Sequence, residues 1–100
     1  FIVGPHDHTD RFSYYPYRVS KGGEMLAPPA KTPMQFIDAR DLVLWTIKAT
    51  EQKLVGTFNI VTPADSMTYE KVLETAKAIS KADTKITYVD DAFIAANEEA

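Results

Sequence analysis

Apolar and polar residues recur along this chain with the periods of helices and strands. The clearest example is residues 35–50, QFIDARDLVLWTIKAT, which predict a short buried strand that runs directly into a helix. Asp38 has the position of a helix N-cap, whose carboxylate accepts from free backbone N–H groups of the first turn. Asp41 places negative charge in that turn, where the helix dipole is positive. The predicted apolar face of this helix consists of Leu42, Val43, Trp45, Ile47 and Ala49.

A second helix is predicted over residues 68–80, with Thr68 as its cap. Its apolar residues fall at i, i+3, i+4, i+7 and i+10, and they form one stripe that should pack on a sheet. The stripe consists of Tyr69, Val72, Leu73, Ala76 and Ile79.

The N-terminal part predicts a strand over residues 1–3, stopped by Gly4 and the proline after it. A helix should follow from Arg11 to about Lys21, capped by Thr9. Proline removes a backbone hydrogen bond, so Pro16 predicts a kink or a restart within this helix.

Further strands are predicted at residues 24–26, 57–61 and 85–89, and Asp90 or Asp91 is predicted to cap a last helix. The predicted order is therefore β-α-β-β-α-β-α-β-α. Strands that alternate with helices indicate an α/β fold of mostly parallel strands with covering helices.

Composition narrows the function classes. The chain has 100 residues, a net charge of -3 and no cysteine, and its basic residues are scattered. Disulfides and thiolate metal sites are excluded, and nucleic acid and anionic membranes are not expected partners. No apolar run approaches the ~18 residues of a membrane span. We therefore expect a cytoplasmic protein.

Both ends of the sequence resemble segments from the interior of a longer polypeptide. It opens on FIV without an initiator methionine and ends on ANEEA without a clear stop signal. We expect residues 1–100 to be a single fragment of a longer protein.

The loop over residues 6–10, HDHTD, holds the most metal-like side chains. Three or four ligands would have to converge for a metal site, which a short loop supplies awkwardly, so a polar loop is the favoured interpretation and no metal is expected. Asp38 and Asp41 could form an acid/base pair. Helix capping already explains both positions, and no catalytic residue is assigned.

A group of polar aromatic and guanidinium side chains follows this loop. It comprises Arg11, Tyr14, Tyr15, Tyr17 and Arg18. These groups could hold a polar or aromatic ligand, or they could lie at the surface with their apolar stems packed and their polar ends in water. The sequence leaves both alternatives open.

Five stretches in order resemble extended and atypical short-chain dehydrogenases/reductases, the NAD-dependent epimerase/dehydratase family. Residues 1–5, FIVGP, resemble the strand end "RPxxVxGP", and residues 36–42, FIDARDL, resemble the junction "FIHVxDLA". Residues 56–60, GTFNI, resemble the strand "GxxNV", and residues 67–70, MTYE, the helix start "hTxxE". Residues 86–93, ITYVDDAF, resemble the strand before the last helix of atypical members.

The resemblance implies the C-terminal portion of a Rossmann-like enzyme: the last sheet strands and the substrate-binding region. The parent would use NAD or NADP. Its dinucleotide fingerprint and Tyr-x-x-x-Lys pair would lie upstream of residue 1, so this chain alone should bind no cofactor and be inactive. Tyr17 and Lys21 have that spacing, but they follow the Gly-Pro strand end and are not assigned as the pair. Asp38 replaces the usual His and Phe1 the Asn of sugar-nucleotide epimerases, which argues against a nucleotide-sugar substrate.

The predicted substrate-binding residues are His6, His8, Arg11 and Tyr14. The first strand should end at the carboxyl edge of the sheet, where open α/β sheets place their ligands, and these residues follow that edge. The expected partners are a small-molecule substrate, the missing N-terminal domain and, as an open question, a second copy of the chain. Two alternatives remain: a non-catalytic NAD(P)-sensing regulator and an independent small α/β domain.

Overall fold

The computed structural model describes residues 1–64 and 66–98, and these fold into short parallel strands and four helices. In chain order the elements are β1 Ile2–Val3, α1 Tyr14–Ser20, β2 Glu24–Ala27, β3 Ile37–Asp38, α2 Ala39–Glu51, α3 Tyr69–Ser80, β4 Lys85–Tyr88 and α4 Asp91–Ala96. The predicted α/β class is confirmed at this level. Within the described ranges, no helix is long and apolar enough to cross a membrane.

The strands form two separate parallel pairs. In one pair β1 lies beside β3, with Ile2 opposite Ile37. In the other β2 lies beside β4, with Glu24 opposite Lys85. The predicted parallel orientation is present, but the described residues do not join into the one continuous sheet that was expected.

The core lies between α1, α3 and the β2–β4 pair. Leu73 of α3 and Val19 of α1 are fully buried, and they contact Met25 and Ala27 of β2. Tyr15, Ala76, Ile86 and Tyr88 pack around this cluster. The buried hydroxyl of Thr84 donates to the Val19 carbonyl, so the polar group inside the core has a partner.

Three predicted helix caps are confirmed. Asp38 accepts from the Arg40 backbone N–H at 2.8 Å. The Thr68 hydroxyl oxygen accepts from the Lys71 backbone N–H at 3.2 Å. The Asp90 carboxylate accepts from the Phe93 backbone N–H at 2.7 Å. Such caps satisfy N–H groups that have no partner within the helix.

The prediction for α1 was wrong at its start. The helix begins at Tyr14 with Ser13 in the cap position, not at Arg11 with Thr9 as cap. The Thr9 hydroxyl instead donates to Asp7 Oδ1 at 2.6 Å. Pro16 falls in the first turn of the helix, where proline is tolerated, and the helix continues past it to Ser20.

The predicted strand over residues 57–61 was also wrong, since this segment is irregular. A strand requires a neighbour to satisfy its backbone, and within the described part of the chain no ladder forms along this segment. The bond from the Thr62 N–H to the Phe36 carbonyl, 3.3 Å, lies just after it. Pro63 follows and has no N–H to continue the ladder. Phe58 packs on Trp45 instead, with ring centroids 5.4 Å apart.

The apolar face predicted for α2 is left open by the described residues. No residue of α2 is buried, and Val43 and Ile47 are 55% and 50% exposed. The radius of gyration is 16.6 Å, against about 13 Å for a compact domain of this length. The accessible surface is 7471 Å², against roughly 5,700 Å² for a folded monomer of this mass. The β1–β3–α2 part therefore leaves apolar surface uncovered.

The stripe on α3 was predicted to be buried along its whole length, and the structure corrects this at one end. Leu73 is fully buried and Val72 nearly so, whereas Ile79 is 77% exposed.

We expect Leu73→Ala to lower the free energy of unfolding by about 2–5 kcal/mol, because it removes contacts from a filled core. Denaturant unfolding measures the loss. Ile79→Ala on the same helix is the matched control and should change stability by less than about 0.5 kcal/mol; equal losses in the two variants would contradict this core.

Candidate functional site

The first candidate site is the loop that leaves the carboxyl end of β1. Because β1 and β3 are parallel, this loop and the start of α2 leave the same edge of the pair. That edge is where open α/β sheets place ligands. The position of the loop is therefore the one that the strand order predicted.

Local hydrogen bonds and positive φ angles give the loop its shape. The backbone N–H and hydroxyl of Thr9 both donate to Asp7 Oδ1, at 2.9 Å and 2.6 Å. The bond from the Thr9 hydroxyl, and then the bond from its backbone N–H, lower the pKa of the Asp7 carboxyl. His6 and Asp10 have φ angles of 71° and 53°, values that L-residues rarely adopt. Strained backbone of this kind is common at binding loops.

The loop encloses a cleft of about 410 Å³. Three of the four predicted substrate-binding residues line it together: His6, His8 and Arg11. The fourth, Tyr14, lines a neighbouring cleft of about 410 Å³ with Asp10, Ser13 and Tyr17. The structure therefore brings the two histidines and the arginine to one place and puts Tyr14 in another.

Arg11 lies at the wall of the first cleft. Its guanidinium carbon is 5.3 Å from the centroid of the Phe1 ring, within the range of a cation–π contact. The ion pairs among the described residues involve other side chains, so Arg11 forms no salt bridge with Asp7 or Asp10. A surface salt bridge therefore does not account for the position of Arg11. Its donors can bind a carboxylate or phosphate in bidentate fashion.

The first turn of α2 borders the cleft through Ala39. Asp38 accepts from Arg40 Nε at 2.9 Å and Nη2 at 2.7 Å. These bonds hold the pKa of Asp38 at about 2, well below its ordinary 3.8. Such a carboxylate stays ionised at neutral pH, so capping, not acid/base chemistry, is the role that fits Asp38.

Sequence reasoning missed the contribution of Gly4 to this geometry. Gly4 has a φ of 124°, and a Cβ at its position would lie 3.5 Å from the Asp38 carboxylate. A contact at that distance is ordinary, so it is the positive φ angle, not a lack of space, that favours glycine at the turn beside the cap of α2. The Gly-Pro pair after a predicted strand was the available signal, but it does not reveal which residue is approached.

The side chains of the loop do not form a recognisable metal centre. Across residues 1–64 and 66–98, no group of three or more His, Cys, Asp or Glu side chains could hold a metal ion. Tyr17 and Lys21, which have the spacing of a catalytic pair, make a cation–π contact with Nζ 4.8 Å from the ring centroid.

Comparison of the chain with protein-family models, with curated proteins and with solved structures gives no match. The site is therefore interpreted from its own geometry.

The Asp38 cap should make α2 sensitive to acid. Folding lowers the pKa of Asp38 from 3.8 to about 2, so the charged carboxylate stabilises the fold fully above 3.8, and that contribution is lost as pH falls through about 2. Asp38→Asn keeps a capping oxygen but removes the charge that pairs with Arg40. We expect thermal unfolding to show wild type more stable than Asp38→Asn at neutral pH, with a smaller difference at about pH 2; a difference that does not change with pH would contradict the assignment.

Proposed function

We propose that this chain is the substrate-binding, C-terminal part of an NAD(P)-dependent oxidoreductase or epimerase of the extended short-chain dehydrogenase/reductase type, and that it is inactive alone. The observation that carries the proposal is the placement of His6, His8 and Arg11 in one cleft at the carboxyl edge of a parallel strand pair. In such folds the substrate meets the nicotinamide beside that edge.

The chemistry of the cleft supports a polar substrate whose anionic group meets Arg11. The Asp7 carboxylate also lines the cleft, and its Oδ1 accepts both bonds from Thr9. Arg11 supplies a fixed cation with forked donors, and His6 and His8 supply imidazole nitrogens that can donate or accept. Ile2 and Val3 line the same cleft and provide an apolar wall. An anion with a short apolar portion fits this combination.

The open surface of α2 supports the view that this chain forms part of a larger fold. Val43, Leu44 and Ile47 are at least half exposed on one helix, and contiguous apolar surface of this kind marks a contact site. In the proposal, the upstream domain covers this face, holds the dinucleotide and supplies the catalytic tyrosine. The role of residues 1–100 is then to bind and orient the substrate.

The proposal predicts that the 100-residue chain does not bind the cofactor. The sequence contains no glycine-rich turn through which a backbone could approach a pyrophosphate. Titration calorimetry with NAD(H) and NADP(H) should therefore detect no binding. An affinity near about 1 μM, some 8 kcal/mol of binding free energy, would contradict this division of roles.

The proposal also predicts a kinetic role for Arg11. In the parent protein, Arg11→Ala should lower kcat/KM about tenfold or more, roughly 1.4 kcal/mol, because the substrate loses a charged contact. Stability should change little, since Arg11 is exposed. Lys48→Ala, which removes an exposed cation from the last turn of α2, is the matched control and should leave kcat/KM unchanged. Unaltered kinetics in the Arg11 variant would remove the substrate role.

A further inference from the structure

A separate apolar cavity, open to solvent, lies between α3, the start of α1 and the segments that carry Phe36 and Met67. Its volume is about 300 Å³, and it shares no lining residue with the His6–Arg11 cleft. One wall is the α3 face formed by Val72, Thr75, Ala76, Ile79 and Ser80. These positions repeat at i, i+3, i+4, i+7 and i+8, so they form one continuous helical face.

Small side chains on this face create the space. Ala76 and Thr75 stand where larger residues would fill the gap between the helices. The hydroxyls on this wall are satisfied within their own helix, since Thr75 donates to the Lys71 carbonyl at 2.6 Å and Ser80 to the Lys77 carbonyl at 3.3 Å. They therefore do not require a polar partner in the cavity.

The opposing walls are aromatic and sulfur-containing. Phe12 and Phe36 pack against each other with centroids 4.7 Å apart, and Pro16 and Met67 complete the lining. Separate bonds hold these segments, including Met34 N–H to the Met67 carbonyl at 3.0 Å. The lining therefore combines residues of α3 with residues from separate segments of the chain.

The lining determines what the cavity can accept. Among residues 1–64 and 66–98, no ionisable side chain lines it, so these residues offer a charged molecule no counter-charge in return for its lost hydration. Aromatic ring edges and a thioether contact ring systems favourably. A volume of about 300 Å³ lies at the lower end of the roughly 300–1,000 Å³ of small-molecule sites.

We propose that this cavity is a binding site for a small, neutral, aromatic or branched aliphatic molecule. This cavity and the proposed substrate cleft share no lining residue, and the cavity takes a neutral ligand whereas the cleft takes an anion. The two sites are therefore independent. The open face of α2 does not offer an equivalent site, because the cleft beside Val43 and Leu44 is also lined by Arg40 and His6.

The test uses the neutral fluorophore N-phenyl-1-naphthylamine with the 100-residue chain. We expect saturable binding at one site, with amide shifts confined to α3 and to the neighbours of Phe12 and Phe36. The analogue 1-anilinonaphthalene-8-sulfonate carries an added sulfonate group with one negative charge and should bind about tenfold more weakly or worse. Equal binding of the two probes at these residues would overturn the assignment to neutral ligands.

Two threonines provide a matched pair of variants. Thr75 and Thr46 are both exposed and both donate to the carbonyl four residues earlier, but only Thr75 lines the cavity. Thr75→Phe should weaken binding of the neutral probe about tenfold, and Thr46→Phe should change it less than about twofold. Equal effects, or probe shifts located on α2, would overturn the proposal.

A second variant keeps the test decisive if Thr75→Phe unfolds the chain. Ile79 is 77% exposed at the rim, so Ile79→Ser removes an apolar contact without opening the core. It should weaken the probe while circular dichroism and the unfolding midpoint stay unchanged. Unchanged probe affinity in this folded variant would contradict the site. Light scattering that shows a dimer dispersed by Ile79→Ser would instead assign the face to contact between copies, and would also overturn the proposal.

Discussion

The burial of Leu73 against Val19 is the contact on which the best-packed part of this protein depends. It joins α3 to α1, and Met25 and Ala27 extend the same cluster to β2. The hydroxyl of Thr84 donates to the Val19 carbonyl inside this core and ties the entry of β4 to the end of α1. Since helices of this length are marginal in water, α1 and α3 hold their positions through this cluster.

The other part of the molecule has no comparable core. The strands β1 and β3 have two residues each, and α2 buries none of its side chains. What orders this part is local: the Asp38 cap and the Thr9–Asp7 bonds. The candidate substrate cleft is built from the same local contacts.

The candidate site was partly predictable from sequence. His6, His8 and Arg11 follow a predicted β-strand in sequence. They therefore lie near the carboxyl end of that strand, where open α/β sheets place ligands. The separation of Tyr14 from these residues was not predictable, since it follows from the start of α1 at Tyr14 instead of Arg11. The apolar cavity was hidden as well: its Phe12–Phe36 wall joins residues from distant parts of the chain, and Thr75 is absent from the predicted stripe.

Sequence by itself determined the features that depend on near neighbours. The caps at Asp38, Thr68 and Asp90 and the extents of α2 and α3 follow from bonds between residues a few positions apart, and they are as predicted. Only the tertiary structure decided that residues 57–61 are irregular, that the strands form two pairs and that Ile79 is exposed. Strand formation and burial require a partner from elsewhere in the chain, and a residue's own pattern of neighbours does not show whether that partner is present.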